Sequence, residues 1–219
     1  MRPKTLAASI APVLLGTAMA YGDGVEHWPS AALALVAALL IQVGTNFAND
    51  YYDFKSGVDS PAHLGPLRVV ESGLVPPKSM QCAFILVFLF AALASACLAL
   101  RGGMPIVIIA VTALLSGFFY TAGPFPLGYI GLGEIFAFLF FGPIAVAGTY
   151  YVQSFEMNSA VIMAGFMPGF LSAAILVVNN LRDIDTDRRA GKRTWAVFFG
   201  RTFSRVEYFF CVTAAFANF

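Results

Sequence analysis

The chain has 219 residues, of which 59% are hydrophobic and only 11% charged, and its mean hydropathy is +0.78. The charged share is about half that of a soluble domain, which excludes an ordinary water-soluble fold. With 13 Lys+Arg against 12 Asp+Glu, bulk charge gives no reason to invoke a nucleic-acid partner.

A helix needs about 20 apolar residues to cross the hydrocarbon core of a bilayer. Such stretches fall near residues 5–22, 30–49, 80–100, 104–120, 131–152 and 160–180, and another starts at Val206 and runs to Phe219. The pattern predicts an all-α integral membrane protein, a bundle with six complete spans and a partial seventh. The chain reads as a single membrane domain, 1–219, that is expected to be cut short at its C-terminal side. Arg2 and Lys4 before an apolar run ending in Ala18-Met19-Ala20 also fit a signal peptide; the same stretch works equally well as a helix that stays. Cys82, Cys97 and Cys211 all lie in apolar runs, which suits small core residues better than disulfides or metal ligands.

Orientation follows from the basic residues. With the N-terminus inside, all of the 13 Lys and Arg residues except Arg101 fall on the cytoplasmic side, a strong positive-inside bias. The expected location is the cell (inner) membrane, with the N-terminus and the loops after the second and sixth spans cytoplasmic.

Two spans run into acidic clusters. The second ends in Asn46-Phe47-Ala48-Asn49-Asp50-Tyr51-Tyr52-Asp53, followed by Lys55 and Asp59, and the sixth ends in Asn179-Asn180-Leu181-Arg182-Asp183-Ile184-Asp185-Thr186-Asp187. On a helix continued past the bilayer, Asn49 and Asp53 share a face at i,i+4, as do Asp183 and Asp187. Like charges at that spacing repel and invite a cation. Four spans, an even number, separate the clusters, so both sit on one side of the membrane and can face each other. Either cluster alone reads as a solvated helix end; the repetition favours a site. Carboxylate and amide oxygens select a hard cation, and Mg²⁺ combines a few carboxylates with waters and phosphate oxygens. Two half-sites imply a bridging polyphosphate. Lys55, Arg68, Lys192 and Arg193 stand close by to contact phosphate oxygens, or serve only the positive-inside rule.

These motifs resemble the UbiA superfamily of intramembrane prenyltransferases, and within it the branch that prenylates 1,4-dihydroxy-2-naphthoate. The matching segments are Arg2-Pro3-Lys4-Thr5, Asn49-Asp50-Tyr51-Tyr52-Asp53, Gly65-Pro66-Leu67-Arg68 with Ser72-Gly73, Gly128 to Glu134, and Asn179 to Asp183 through Gly191-Lys192-Arg193-Thr194. The resemblance implies a first Mg²⁺-diphosphate motif of Asn49, Asp50 and Asp53 and a second of Asp183 and Asp187. It further implies Arg68 and Lys192 as diphosphate-binding residues, and Asp53, Asp187, Lys192 and Arg68 as the catalytic set. Gly57, with the next acid at Asp59, departs from the spacing common in the superfamily and resembles the naphthoate branch. The family fold has nine transmembrane helices around a central cavity, more than this sequence supplies.

The implied reaction is Mg²⁺-dependent transfer of a polyprenyl group from an allylic polyprenyl diphosphate to 1,4-dihydroxy-2-naphthoate, with decarboxylation to demethylmenaquinone. A 4-hydroxybenzoate-like acceptor is the alternative; a secondary transporter is a weaker one, since the acids sit at helix ends and only Glu134 lies within a span. Partners are the two substrates and membrane lipid, with no nucleic acid. Phe118, Phe119, Tyr120, Phe125, Tyr129 and Phe136 are candidates to bound the acceptor pocket or to serve as interfacial anchors. Glu134 is a candidate to orient acceptor or basic side chains, and Asp23 in an outer loop is expected to matter little.

Overall fold

The computed structural model describes residues 3–56 and 69–217. The Gly57 and Asp59 pair and the Gly65-Pro66-Leu67-Arg68 segment lie outside the described residues. Within them the chain forms α1 (Pro3–Gly22), α2 (Trp28–Lys55), α3 (Pro77–Phe119), α4 (Gly133–Phe140), α5 (Pro143–Ser154), α6 (Ser159–Ala164), α7 (Phe166–Arg182), α8 (Ile184–Arg189) and α9 (Trp195–Ala217), with no strand among the described residues. In a bilayer every backbone polar group has to be satisfied internally, and helices do so within one segment. Five helical segments are long and apolar enough to cross: Thr5–Gly22, Trp28–Lys55, Pro77–Phe119, Gly133–Ser154 and Ser159–Arg182. The protein is an integral membrane helical bundle.

Helix α3, at 43 residues, is about twice the length one crossing needs. It doubles back at Gly103, whose φ of 66° is open to glycine. The rings of Phe84 and Phe88, on the first arm, therefore lie 6.4 Å from that of Phe118, on the second. The expected spans near 80–100 and 104–120 fall on these two arms. Arg101, the one basic residue assigned to the far side, sits at that turn. Its guanidinium donates to the carbonyl oxygens of Val152 and Gln153 at 2.9 and 3.4 Å and lies 4.7 Å from the Phe155 ring. It thus satisfies carbonyls that the end of α5 leaves without helical partners.

The expected spans near 131–152 and 160–180 are each interrupted, at Phe141–Gly142 and at Gly165. The two breaks pack backbone to backbone: a Cβ on Gly142 would meet the Gly169 Cα at 2.6 Å, and one on Gly165 would meet the Pro143 Cα at 2.6 Å. Small residues at helix crossings are the membrane solution to close packing, where burying apolar surface gains little against lipid. The same logic sorts α3, which buries Ala91, Ala94 and Ser95 and exposes Leu86, Leu89 and Leu93. Helix α1 joins this packing, since a Cβ on Gly16 would lie 2.6 Å from the Val146 carbonyl oxygen.

Helix α9 begins at Trp195, breaks at Gly200 (φ 85°) and resumes, well before the expected start at Val206. The difference arises because its early turns carry Arg201 and Arg205, which a hydropathy reading passes over. Arg201 pairs with Asp185 at 2.7 Å. Between α1, α2, both arms of α3, α4, α5 and α7 lies a cavity of about 300 Å³. Its walls are largely apolar, from residues such as Ile41, Ile109, Phe136, Phe140 and Leu176. At one end it meets Asn49 and Asn179, where the two acidic clusters begin.

Candidate active site

The first cluster sits on the last two turns of α2, which continues to Lys55, so Asn49 and Asp53 share a face as the spacing predicts. Asn49, Asp50 and Asp53 are all buried, Asp53 to 4% exposure. In the second cluster the helix does not continue. Helix α7 stops at Arg182, Asp183 lies between it and α8, and the Asp187 N–H donates to the Asp183 carbonyl at 2.8 Å. Asp183 takes a two-point bond from the neighbouring Arg182, with Nε to Oδ1 at 2.8 Å and Nη2 to Oδ2 at 2.6 Å. Asp187 is buried to 7% and pairs with Lys192 Nζ at 3.3 Å.

Residues 120–132 join the two clusters. This segment folds back on the end of α3 through Leu127 N–H to Phe119 O and Gly128 N–H to Tyr120 O, both 3.0 Å. From it, the Thr121 hydroxyl donates to Asn49 Oδ1 and the Tyr129 hydroxyl donates to Asp53 Oδ1. The Tyr129 ring lies 4.7 Å from Lys192 Nζ, and the Tyr129 carbonyl accepts the Arg193 N–H at 2.7 Å. A continuous chain therefore runs Asp53, Tyr129, Lys192, Asp187. Gly131 is required for the approach: its φ is 81°, and a Cβ there would meet the Arg193 carbonyl at 3.0 Å and Trp195 at 3.2 Å. This gives the glycines of the 128–134 segment a physical reason.

Electrostatics reflect the convergence. Burial pushes the Asp187 carboxyl above its ordinary range, Lys192 pulls it back, and the charges of Asp183 and Asp53 push it further up. Among the described residues no three His, Cys, Asp or Glu side chains form a group that could hold a metal unaided. The donors are instead oxygens from two helix ends. That set fits Mg²⁺, which takes one or two carboxylates and completes its shell with water and substrate phosphate.

The other expected residues are placed as follows. Lys55 is exposed at the end of α2, with Nζ 6.0 Å from the Tyr51 ring, and the Arg193 side chain is exposed while its backbone serves Tyr129. Arg68 lies outside the described residues. Glu134 is buried at 5% exposure and accepts from Asn180 Nδ2 at 2.6 Å, next to the cavity-lining Asn179. Of the six aromatic candidates, Tyr120 and Phe136 line the cavity, Tyr129 bridges the clusters, Phe118 packs among Tyr52, Phe84, Phe88 and Phe119, and Phe125 is 76% exposed. Asp23 is not idle, since it accepts the hydroxyl of buried Tyr150 at 2.7 Å. Sequence reasoning named Tyr129 for its ring and missed its hydroxyl, and it missed Thr121 altogether; a Tyr held by a Gly-rich turn was the available signal.

The chain is similar in sequence and in fold to known proteins. A 1,4-dihydroxy-2-naphthoate octaprenyltransferase of Mycobacterium tuberculosis is 40% identical over 207 residues, covering 94% of this chain and 70% of that protein. One of the same name from Escherichia coli is 37% identical over 218 residues, covering 97% and 70%. The fold resembles a UbiA homolog from Archaeoglobus fulgidus, bound to DMAPP and Mg²⁺, with a TM-score of 0.68, 17% identity, and coverage of 98% of this chain and 76% of that one. The UbiA prenyltransferase family matches residues 9–219, and the chain belongs to that family.

Proposed function

We propose that this aromatic prenyltransferase moves a polyprenyl group from an allylic polyprenyl diphosphate to 1,4-dihydroxy-2-naphthoate, with loss of the acceptor's carboxyl group as carbon dioxide, giving demethylmenaquinone. The observation that carries the reading is the chain from Asp53 through Tyr129 and Lys192 to Asp187, set at the end of an apolar cavity. The relatives named for the naphthoate acceptor supply the choice of ring.

Asn49, Asp53, Asp183 and Asp187, with Asp50 beside them, are the oxygen donors for Mg²⁺, which when bound supplies positive charge against the departing diphosphate. The protein's own part is electrostatic. As the allylic C–O bond lengthens, negative charge gathers on the diphosphate, and Lys192 is already fixed by Asp187 and the Tyr129 ring to meet it. A preorganised cation of this kind stabilises the transition state without having to reorient. The prenyl chain lies along the apolar wall of Ile41, Ile109, Phe140 and Leu176. That wall keeps water from the allylic cation long enough for the ring to capture it. Both clusters face the cytoplasm in this reading, which follows the distribution of basic residues, and surrounding lipid is the source of the long-chain donor.

Membranes bearing the protein, given labelled polyprenyl diphosphate with either dihydroxynaphthoate or 4-hydroxybenzoate, test the assignment. The expected product mass is prenyl plus acceptor less carbon dioxide. Prenylation of 4-hydroxybenzoate with its carboxyl retained, and none of dihydroxynaphthoate, would overturn the acceptor while leaving the donor chemistry standing.

A further inference from the structure

Below the metal-binding motif, α2 carries two more amides on the same face. Gln42, Asn46, Asn49 and Asp53 follow one another at helical spacings of four, three and four residues. At a rise of about 1.5 Å per residue, Asn46 lies about 4.5 Å and Gln42 about 10 Å further into the bilayer than Asn49. Both line the cavity, and both are buried, at 6% and 8% exposure.

Each amide donates one hydrogen bond to α1, and among the described residues its carbonyl oxygen accepts none. Asn46 Nδ2 donates to Thr5 Oγ1 at 3.2 Å and Gln42 Nε2 donates to the Thr5 carbonyl at 3.4 Å, which fixes both amides through α1. Among the described residues, Asn46 Oδ1 and Gln42 Oε1 have no hydrogen-bond donor. A buried acceptor left unpaired is unfavourable, and two of them in a largely apolar cavity call for O–H groups from a ligand. A prenyl chain has none. A hydroxyarene has them, and a fused two-ring acceptor is about the size of the depth between Gln42 and the end of the motif, so its reactive carbon would stand beside the allylic centre.

We propose that Asn46 and Gln42 are the acceptor-recognition residues, their side-chain carbonyls taking hydrogen bonds from the ring hydroxyls of the aromatic substrate. The inference rests on the hydroxyarene reading of the preceding subsection. It adds a mechanism of selection: a hydroxyl donating to an amide oxygen holds the ring in place and increases its electron density, whereas an analogue lacking the hydroxyl leaves the amides unpaired and is rejected.

The competing role for these amides is to tie α1 to α2, which their donors do. Gln42→Met and Asn46→Leu, each close in volume to the parent residue, separate the two. The measurements are the Michaelis constants for donor and acceptor, and inhibition by 2-naphthoate, which lacks both hydroxyls. Selective recognition predicts an acceptor KM raised about 10-fold or more by loss of hydroxyl pairing, an unchanged donor KM, and a preference for dihydroxynaphthoate over 2-naphthoate that shrinks by a similar factor. Parallel rises in both Michaelis constants, or an unchanged preference, would assign the amides to packing and overturn the proposal. If the wild-type protein instead prenylates only 4-hydroxybenzoate, the naphthoate assignment falls, and the same two variants are read against that acceptor and benzoate. A preference that shrinks there upholds hydroxyl recognition, and one that does not overturns it.

Discussion

Replacing Tyr129 with Phe removes one oxygen and keeps everything else. The ring remains beneath Lys192 Nζ, 4.7 Å away, and the backbone carbonyl still takes the Arg193 N–H. Lost is the hydroxyl bond that orients Asp53. A hydrogen bond to a charged group contributes about 1.5–3 kcal/mol, and at about 1.4 kcal/mol per factor of ten this is roughly 10- to 100-fold. Removal of groups that orient metal-ligating carboxylates weakens metal binding or activity by about the same factor. Tyr129→Phe should therefore raise the Mg²⁺ concentration for half-maximal turnover and lower kcat/KM for the prenyl diphosphate by about 10- to 100-fold. The acceptor KM should move little. Tyr129→Leu also removes the ring beside Lys192, and since such cation–ring contacts contribute about 0.5–2 kcal/mol, it should be the more damaging. Steady-state assays in membranes over a Mg²⁺ series read both effects. Turnover by Tyr129→Phe within twofold of wild type at limiting Mg²⁺ would refute the idea that this residue couples the two clusters.

Other outcomes follow from the same geometry. Asp53→Ala and Asp187→Ala should each reduce turnover by on the order of 10² or more, while Glu156→Ala, exposed at the opposite end, stays near wild type; near-normal rates in both metal-site variants would remove the assignment. Because burial raises the Asp187 pKa and Lys192 lowers it, and the carboxylate must be ionised to bind a cation, activity falls as pH drops through that pKa. Lys192→Met should move the acid limb of the pH–rate profile upward, and an unmoved limb would separate Asp187 from the rate. Single cysteines at Ser56 and Ala190, after α2 and α8, should react with an impermeant thiol reagent from the same side of the membrane; labelling from opposite sides would make a shared diphosphate site impossible. Gly142→Ala forces a Cβ against the Gly169 backbone and should lower the thermal midpoint in detergent, by an amount matching the roughly 1–3 kcal/mol of overpacking.

What the sequence disclosed and what it hid divide along physical lines. The spans were legible because lipid imposes one strong rule, a run of about 20 apolar residues, and the acidic clusters because carboxylates at helical spacing stand out against such a background. The interruptions at Gly142 and Gly165 were hidden, since the residues on both sides are apolar and only the close approach of two backbones reveals why glycine is there. The break at Asp183 was hidden for a related reason: its Arg182 partner is adjacent in sequence, so the same charge pattern suits a helix that continues or one that stops. Tyr129 and Asp53 are 76 positions apart, and no periodicity links a turn residue to a helix face so distant. Gln42 and Asn46 are the instructive case. Both amides stood in plain view, in register with Asn49 and Asp53, inside a segment where polar side chains are unfavourable unless paired. Their polarity alone admits helix packing as readily as substrate recognition. Burial against a cavity, with one N–H of each amide bonded to Thr5 and the carbonyl oxygens left over, favours recognition, because packing against α1 would be served by those N–H bonds alone.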